Sequence, residues 1–207
     1  MIQLQALLDG IAFECDNFDG ARQIASLSYD SRTAAPGDLF VCLDGFRSDG
    51  HAFASDAYEK GCRVFAVERR LALPQDALQL RTENTRRFLA LASAGFFGHP
   101  ARKLFTVGIT GTKGKTSVSF MLQSILAAAG RRAGVIGSTG VYYDGRTIET
   151  ENSTPESFLL HRYYRDMLDA GCDAAIIEAT SQGFKLDRTY GIRFDLGIFT
   201  NLSPDHI

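Results

Sequence analysis

No window of about 18 consecutive apolar residues occurs in the sequence, so no segment reads as a membrane-spanning helix. The amino terminus, Met1-Ile-Gln-Leu-Gln-Ala, lacks the basic stretch and apolar run of a secretory signal, and a cytoplasmic location is expected. Positive charge is not concentrated either. The 22 Lys and Arg face 24 Asp and Glu with no long basic block, which argues against nucleic acid or a membrane surface as a main partner. Cysteine is sparse: Cys15, Cys42, Cys62 and Cys172 lie far apart and form no Cys-x-x-Cys pair, so buried reduced thiols are expected rather than a metal site or disulfide framework. Proline is scarce, at 5 residues in 207, and there is no internal repeat or low-complexity segment. What remains is an ordinary soluble composition, 45% apolar and 22% charged, long enough for one large or two small domains.

Strand-like and helix-like stretches alternate. Ser26–Tyr29, Asp38–Leu43 and Arg63–Glu68 read as strands, His51–Lys60 as a helix closed by Gly61, and Asn84–Phe97 as a helix with Phe88, Leu89, Leu91, Ala92 and Phe96 on one face. Gly98-His99-Pro100-Ala101-Arg102-Lys103 breaks the rhythm and sets an expected boundary between domains 1–100 and 101–207. Beyond it come a strand at Leu104–Ile109, a helix at Thr116–Ala129 and a strand at Ala133–Ile136. The helix carries Val118, Met121, Leu122, Ile125 and Leu126 on its apolar face. A hairpin turns at Asp144-Gly145, and Thr154-Pro155-Glu156 looks like a helix start with a hydroxyl cap. Strands at Ala174–Ile177 and Phe194–Phe199 complete the pattern. The expected class is α/β: a small N-terminal α/β domain followed by a domain built on a parallel sheet flanked by helices.

The most informative stretch is Gly108-Ile109-Thr110-Gly111-Thr112-Lys113-Gly114-Lys115-Thr116-Ser117. The full phosphate-loop pattern would place glycine at 109, where isoleucine stands, but the core Gly111-x-x-Gly114-Lys115-Thr116 is intact between a strand and a helix. Glycines let backbone amides converge on phosphate oxygens, and the following helix adds orphan N–H groups and partial positive charge. Gly111 to Ser117, with the Lys115 ammonium among them, are therefore candidates for ATP, and the Thr116 hydroxyl for Mg²⁺. Glu178, ending an apolar strand, is a further Mg²⁺ candidate. His206, following an Asn201–Asp205 loop, is by itself unremarkable as a ligand.

Four separated stretches resemble the Mur ligase family of peptidoglycan assembly, and within it the UDP-N-acetylmuramoyl-tripeptide synthetases. They are Tyr29-Asp30-Ser31-Arg32 with Pro36–Val41, Asp49-Gly50-His51 and Phe53; Gly108–Ser117; Asn152-Ser153-Thr154-Pro155; and Glu178-Ala179-Thr180-Ser181 with Phe199–His206. The resemblance implies an ATP-dependent acid–amino-acid ligase, a monomer in the cytoplasm, with a UDP-N-acetylmuramoyl-peptide and an amino acid as partners and ATP and Mg²⁺ as cofactors. It implies catalytic roles for Lys115, Glu178 and His206, with Thr116, Glu178 and His206 around the metal. Tyr29, Ser31, Phe46, Arg47 and Ser48 would hold the uridine diphosphate, and Asn152, Ser153, Thr154, Thr180 and Arg188 the muramoyl peptide.

Three positions depart from the family pattern: Lys113 stands for asparagine, Thr180 for serine, and Leu186 for a polar residue. The sequence stops at Ile207, where the family continues with a carbamylated lysine, the rest of the ATPase domain and an amino-acid-selecting domain. The resemblance therefore implies an incomplete ligase that binds nucleotide weakly and does not turn over alone. Two other readings stay open: a ligase of the same superfamily acting on the UDP-muramoyl-tripeptide, which shares much of the N-terminal stretch, and a non-catalytic nucleotide-binding module. The Asp30-Ser31-Arg32 and Pro36–Phe40 stretches disfavour folylpolyglutamate synthases. The absence of an Asn-Lys-x-Asp element counts against a GTPase.

Overall fold

Leu39, Phe40 and Val41 are all buried, as are Val64 to Val67, so these two strands are covered on both faces, as parallel strands require. They form the middle of one of two α/β units in a computed structural model that describes residues 1–45 and 48–203. The units are Met1–Phe96 and Phe97–Ile207.

The N-terminal unit begins with a short antiparallel pair, β1 (Ile2–Gln3) and β2 (Gln23–Ile24), with helix α1 (Leu4–Leu7) between them. A four-stranded parallel sheet follows, with β3 (Leu27–Ser28), β4 (Leu39–Val41), β5 (Val64–Val67) and β6 (Leu78–Arg81) in sequence order. A 3-10 turn (Gly50–Phe53) and α2 (Ala54–Glu59) connect β4 to β5, and α3 (Thr85–Phe96) closes the unit. Phe40 and Phe65 are cross-strand partners whose rings meet edge-on at 6.2 Å, anchoring a cluster with Cys42, Ala54, Ala57 and Cys62. Burial pushes the Cys42 thiol up to about 12 and the Cys62 thiol to about 11, and all four cysteines are free.

The C-terminal unit contains β7 (Phe105–Thr110), α4 (Lys115–Ala128), β8 (Ala133–Gly137), the hairpin β9 (Gly140–Tyr143) and β10 (Arg146–Ile148), then α5 (Ser157–Asp169), β11 (Ala174–Glu178), α6 (Ser181–Lys185) and β12 (Leu196–Phe199). They build a six-stranded sheet in the order β10-β9-β8-β11-β7-β12, parallel from β8 to β12. The hairpin turns at Asp144-Gly145, both with positive φ, as the two-residue turn requires. Helices cover both faces. On one, Leu160, Tyr164 and Met167 of α5 pack against Ile136, Ala175 and Ile177; on the other, Val118, Leu122 and Leu126 of α4 lie on Val107, Ile109, Val135 and Ile176.

Two expectations need correction. The apolar face of α4 is narrower than the sequence pattern implies, because Met121 and Ile125 are 63% and 64% exposed while only the 118–122–126 row reaches the sheet. Thr154 does not cap α5. The helix starts at Ser157 with Glu156 as its cap residue, and Pro155 lies before the first turn. The Thr154 hydroxyl instead donates to Glu178 O at 2.7 Å, across 24 residues, a tertiary bond that displaces the local cap.

Candidate functional site

Strand β7 has β11 on one side and β12 on the other, and its carboxyl end runs directly into the glycine loop. Such a position, where neighbouring strands continue to opposite sides, is where open α/β sheets hold ligands. Gly111 (φ +130°) and Gly114 (φ +83°) both adopt conformations that side chains disfavour. Gly111 is doubly constrained, since a Cβ there would fall 2.8 Å from Asn201 O. The chain then enters α4 with Gly114 as cap, leaving the N–H groups of residues 114–117 as the orphan donors of a helix start.

Not all of the loop amides are free to receive an anion. The Thr112 N–H donates to Asn201 O and the Lys113 N–H to Asn201 Oδ1, both at 3.0 Å, so the expected cradle shortens to residues 114–117. Lys115 Nζ donates to Gly111 O (2.7 Å) and Thr112 O (3.1 Å), resting on the loop's own carbonyls. The exposed side chain of Lys113 plays no part in these bonds, which accounts structurally for the tolerance of lysine where asparagine was expected.

A cavity of about 590 Å³ opens beside the loop. Gly111, Thr112 and Lys115 line it together with Asn152, Ser153, Thr154, Thr180 and Arg188, so residues selected from three distant stretches share one space. The opposite wall is rigidly tied. Thr154 Oγ1 accepts the Thr180 N–H at 3.0 Å, and Thr180 Oγ1 in turn accepts the Gly183 N–H to cap α6. Arg188 is 9% exposed; its Nε donates to Glu156 Oε1 (2.7 Å) and its Nη1 to Thr154 O (2.8 Å), so much of its hydrogen-bonding capacity serves this frame. Leu186 is buried rather than presented as a contact.

Glu178 is the last residue of β11 and only 1% exposed. Its Oε1 is buried without a hydrogen-bond partner, an expensive state for a carboxylate oxygen unless a cation completes it. The carboxylate occupies the space a side chain at Gly137 would need. The next residue, Ser138, places its hydroxyl 3.1 Å from Thr116 Oγ1. One carboxylate and one or two hydroxyls near a phosphate loop fit Mg²⁺, which keeps water and phosphate oxygens as its remaining ligands. Among the described residues no group of three or more His, Cys, Asp or Glu gathers as a metal cage. His206 lies outside the described residues, as do Phe46 and Arg47.

In the N-terminal unit, Tyr29 and Ser31 follow the carboxyl end of β3, and Ser48 lies beyond β4, its carbonyl accepting the Gly45 N–H at 3.1 Å. His51 supports Asp49 from the core. Its Nε2 accepts the Glu68 N–H (3.0 Å) and its Nδ1 faces Asp49 Oδ1 (2.6 Å). The Arg69 guanidinium and His51 hold the Asp49 carboxyl well below the usual range. A separate cavity of about 420 Å³ in this unit, lined by Glu14, Asp16, Arg70 and Arg81, contains none of the candidate residues.

Sequence reasoning missed the anchoring contribution of Thr200, Asn201 and Ser203. Thr200 Oγ1 donates to Lys113 O (2.8 Å), Asn201 Nδ2 to the same oxygen (3.0 Å), and the Ser203 N–H to Thr112 Oγ1 (3.0 Å). These partners are about 90 residues from the loop in sequence, and no local pattern announces such bonds.

Comparison with known proteins places this geometry. The model described as Mur ligase middle domain matches residues 109–207, and that described as Mur ligase family, catalytic domain, matches residues 23–97. A UDP-N-acetylmuramoyl-L-alanyl-D-glutamate--2,6-diaminopimelate ligase of Clostridium perfringens is 39% identical over 204 residues, 99% of this chain and 42% of the relative. A solved structure of a ligase of the same name matches with a TM-score of 0.84 and 22% identity, covering 100% of this chain and 41% of that one. The MurF ligase of Thermotoga maritima, solved in complex with ADP, matches with a TM-score of 0.59 and 21% identity over 87% of this chain and 38% of that one. At these identities the two structures establish a shared fold, and the chain spans well under half the length of the relatives it matches. With the two family models following one another along 23–97 and 109–207, the chain belongs to the Mur ligase family.

Proposed function

We propose that this chain carries the ATP-binding and peptide-facing parts of an ATP-dependent ligase that joins an amino acid to a UDP-N-acetylmuramoyl-dipeptide in the cytoplasm. The observation that carries the reading is the shared cavity: Gly111, Thr112 and Lys115 line the same space as Asn152, Ser153, Thr154, Thr180 and Arg188. A nucleotide switch would have no need of a second wall of hydroxyl and amide groups facing its phosphate loop.

In this reading the amides of residues 114–117 and the Lys115 ammonium receive the outer phosphates, and Lys115 exchanges its loop carbonyls for phosphate oxygens. The hydroxyls of Ser153 and Thr180 and the amide of Asn152 hold the peptide carboxylate opposite. Thr154, expected as a contact, has its buried hydroxyl committed to Glu178 O and the Thr180 N–H and braces them instead. The proposed reaction is phosphoryl transfer from ATP to that carboxylate, followed by attack of an amine on the acyl phosphate and release of phosphate. Thr116 and Glu178, with His206, would hold Mg²⁺, which when bound neutralises phosphate charge. Tyr29, Ser31, Phe46, Arg47 and Ser48 belong to the unit proposed to hold the uridine diphosphate, residues 1–100; residues 101–207 are proposed to hold ATP.

The test is equilibrium dialysis of labelled ADP, UDP-muramoyl-dipeptide and UDP-muramoyl-tripeptide against the 207-residue chain. The wild-type chain is expected to bind ADP and to prefer the dipeptide, and Lys115→Ala is expected to lose ADP but keep the UDP ligand. Equal ADP binding by wild type and Lys115→Ala would overturn the reading. A preference for the tripeptide would move the substrate by one residue.

A further inference from the structure

The loop that precedes α4 has little internal support. Gly111 and Gly114 bracket it with positive φ angles, so residues 111–113 form neither strand nor helix, and their backbone polar groups need partners from elsewhere. Inside the loop the one contributor is the Lys115 ammonium, which must be released for phosphate. The outside partners come from the segment that leaves β12.

Asn201 is the centre of that support. Its side-chain amide pairs with both polar groups of one loop residue, accepting the Lys113 N–H and donating to Lys113 O, each at 3.0 Å. Its own carbonyl takes the Thr112 N–H at 3.0 Å. Thr200 adds a second donor to Lys113 O, and Ser203 bonds the Thr112 hydroxyl. Only asparagine or glutamine offers a neutral donor and acceptor side by side in this way. The glycine at 111 permits the approach, because the backbone of residue 201 lies where a Cβ would stand.

We propose that Asn201 is a positioning residue for nucleotide. It withdraws the Lys113 amide from the anion, fixes the peptide plane that leads into Gly114, and so decides that the donors from residue 114 onward face the phosphates. This rests on the nucleotide-binding reading above. Loss of the clamp lets the loop settle around Lys115, whose ammonium already bonds two of its carbonyls, and the cost appears in nucleotide affinity rather than in the sheet.

The experiment uses the 207-residue chain, its Asn201→Leu and Asn201→Asp variants, amide hydrogen exchange, and ADP with Mg²⁺ as probe. In the wild type the Lys113 amide is expected to be protected. Asn201→Leu is expected to speed its exchange and weaken ADP binding about tenfold or more, while Val107 and Ile109 in β7 keep their protection. Asn201→Asp keeps the acceptor but not the donor and is expected to fall between. An unprotected Lys113 amide in the wild type overturns the clamp. Faster Lys113 exchange with unchanged ADP affinity overturns the positioning role. Should β7 also lose protection in Asn201→Leu, the Asp variant decides, and unchanged ADP affinity there overturns the proposal. If the wild type fails to bind ADP, the ligase reading falls and the positioning role with it. Lys113 protection would then persist as a structural tie, so the two failures are distinguishable.

Discussion

Arg188 holds Glu156 with two nitrogens, Nε and Nη2, each 2.7 Å from the same carboxylate oxygen, and with both side chains largely out of water. Removing one partner of a buried pair leaves the other charge uncompensated. Glu156→Ala is therefore expected to destabilise the protein by about 3 kcal/mol in urea unfolding. Arg188→Met, which fills a similar volume without charge, is expected to cost less than Arg188→Ala. Equal costs for the two would show that the lost ion pair, not packing, dominates.

Thr154 gives a cleaner measurement. Its hydroxyl donates to Glu178 O and accepts from the Thr180 N–H in a site 1% exposed. Thr154→Val keeps the shape and strands both partners, for an expected loss of about 2 kcal/mol. Thr154→Ser retains the oxygen and is expected to lose much less. Chemical denaturation of the two variants side by side checks this.

His161 sets a pH dependence. It is buried in α5 with neither ring nitrogen hydrogen-bonded, and desolvation, helped by His99, lowers its pKa from 6.5 to about 4. The unfolded chain binds this proton first, so stability is unaffected above the unfolded value and falls as pH drops from about 6.5 towards 4. Between pH 7 and pH 5 the loss is about 2 kcal/mol for this group. His161→Phe is expected to flatten that part of the profile, read from urea midpoints across the range. An unchanged slope would place the acid sensitivity elsewhere.

The unpartnered Glu178 oxygen makes a metal prediction. Mg²⁺ is expected to tighten ADP binding to the wild type, and Glu178→Gln to remove most of that gain, about tenfold in affinity. Titration of ADP with and without Mg²⁺ measures it. A full Mg²⁺ effect in Glu178→Gln would exclude this carboxylate from the metal.

Much of the C-terminal unit could be read from local chemistry. Strand β7, the glycine loop, α4 and the Asp144-Gly145 hairpin were expected within a residue or two of where they lie, because glycines, turn residues and apolar runs act locally. Strand β6 and the two-residue pair β1–β2 were not, since each owes its conformation to its partner strand more than to its own residues. The exposure of Met121 and Ile125 could not be foreseen, because periodicity marks an apolar face but not how much of it a sheet covers. Thr154 misled for a related reason. A hydroxyl before proline resembles a cap, and only the folded chain brings Glu178 O close enough to take it instead. In the candidate site, residues carrying recognisable motifs were legible, whereas those that brace them, Thr200 to Ser203, were hidden by distance along the chain.

The bonds from Asn201 to Lys113 span 88 positions. During synthesis the glycine-rich stretch leaves the ribosome long before the asparagine that shapes it. A nascent chain displaying residues 111–117 alone has the letters of the proposed nucleotide site but not its form. If the proposed site is right, competence for nucleotide is acquired late, when β12 closes against β7 and brings Asn201 onto the loop.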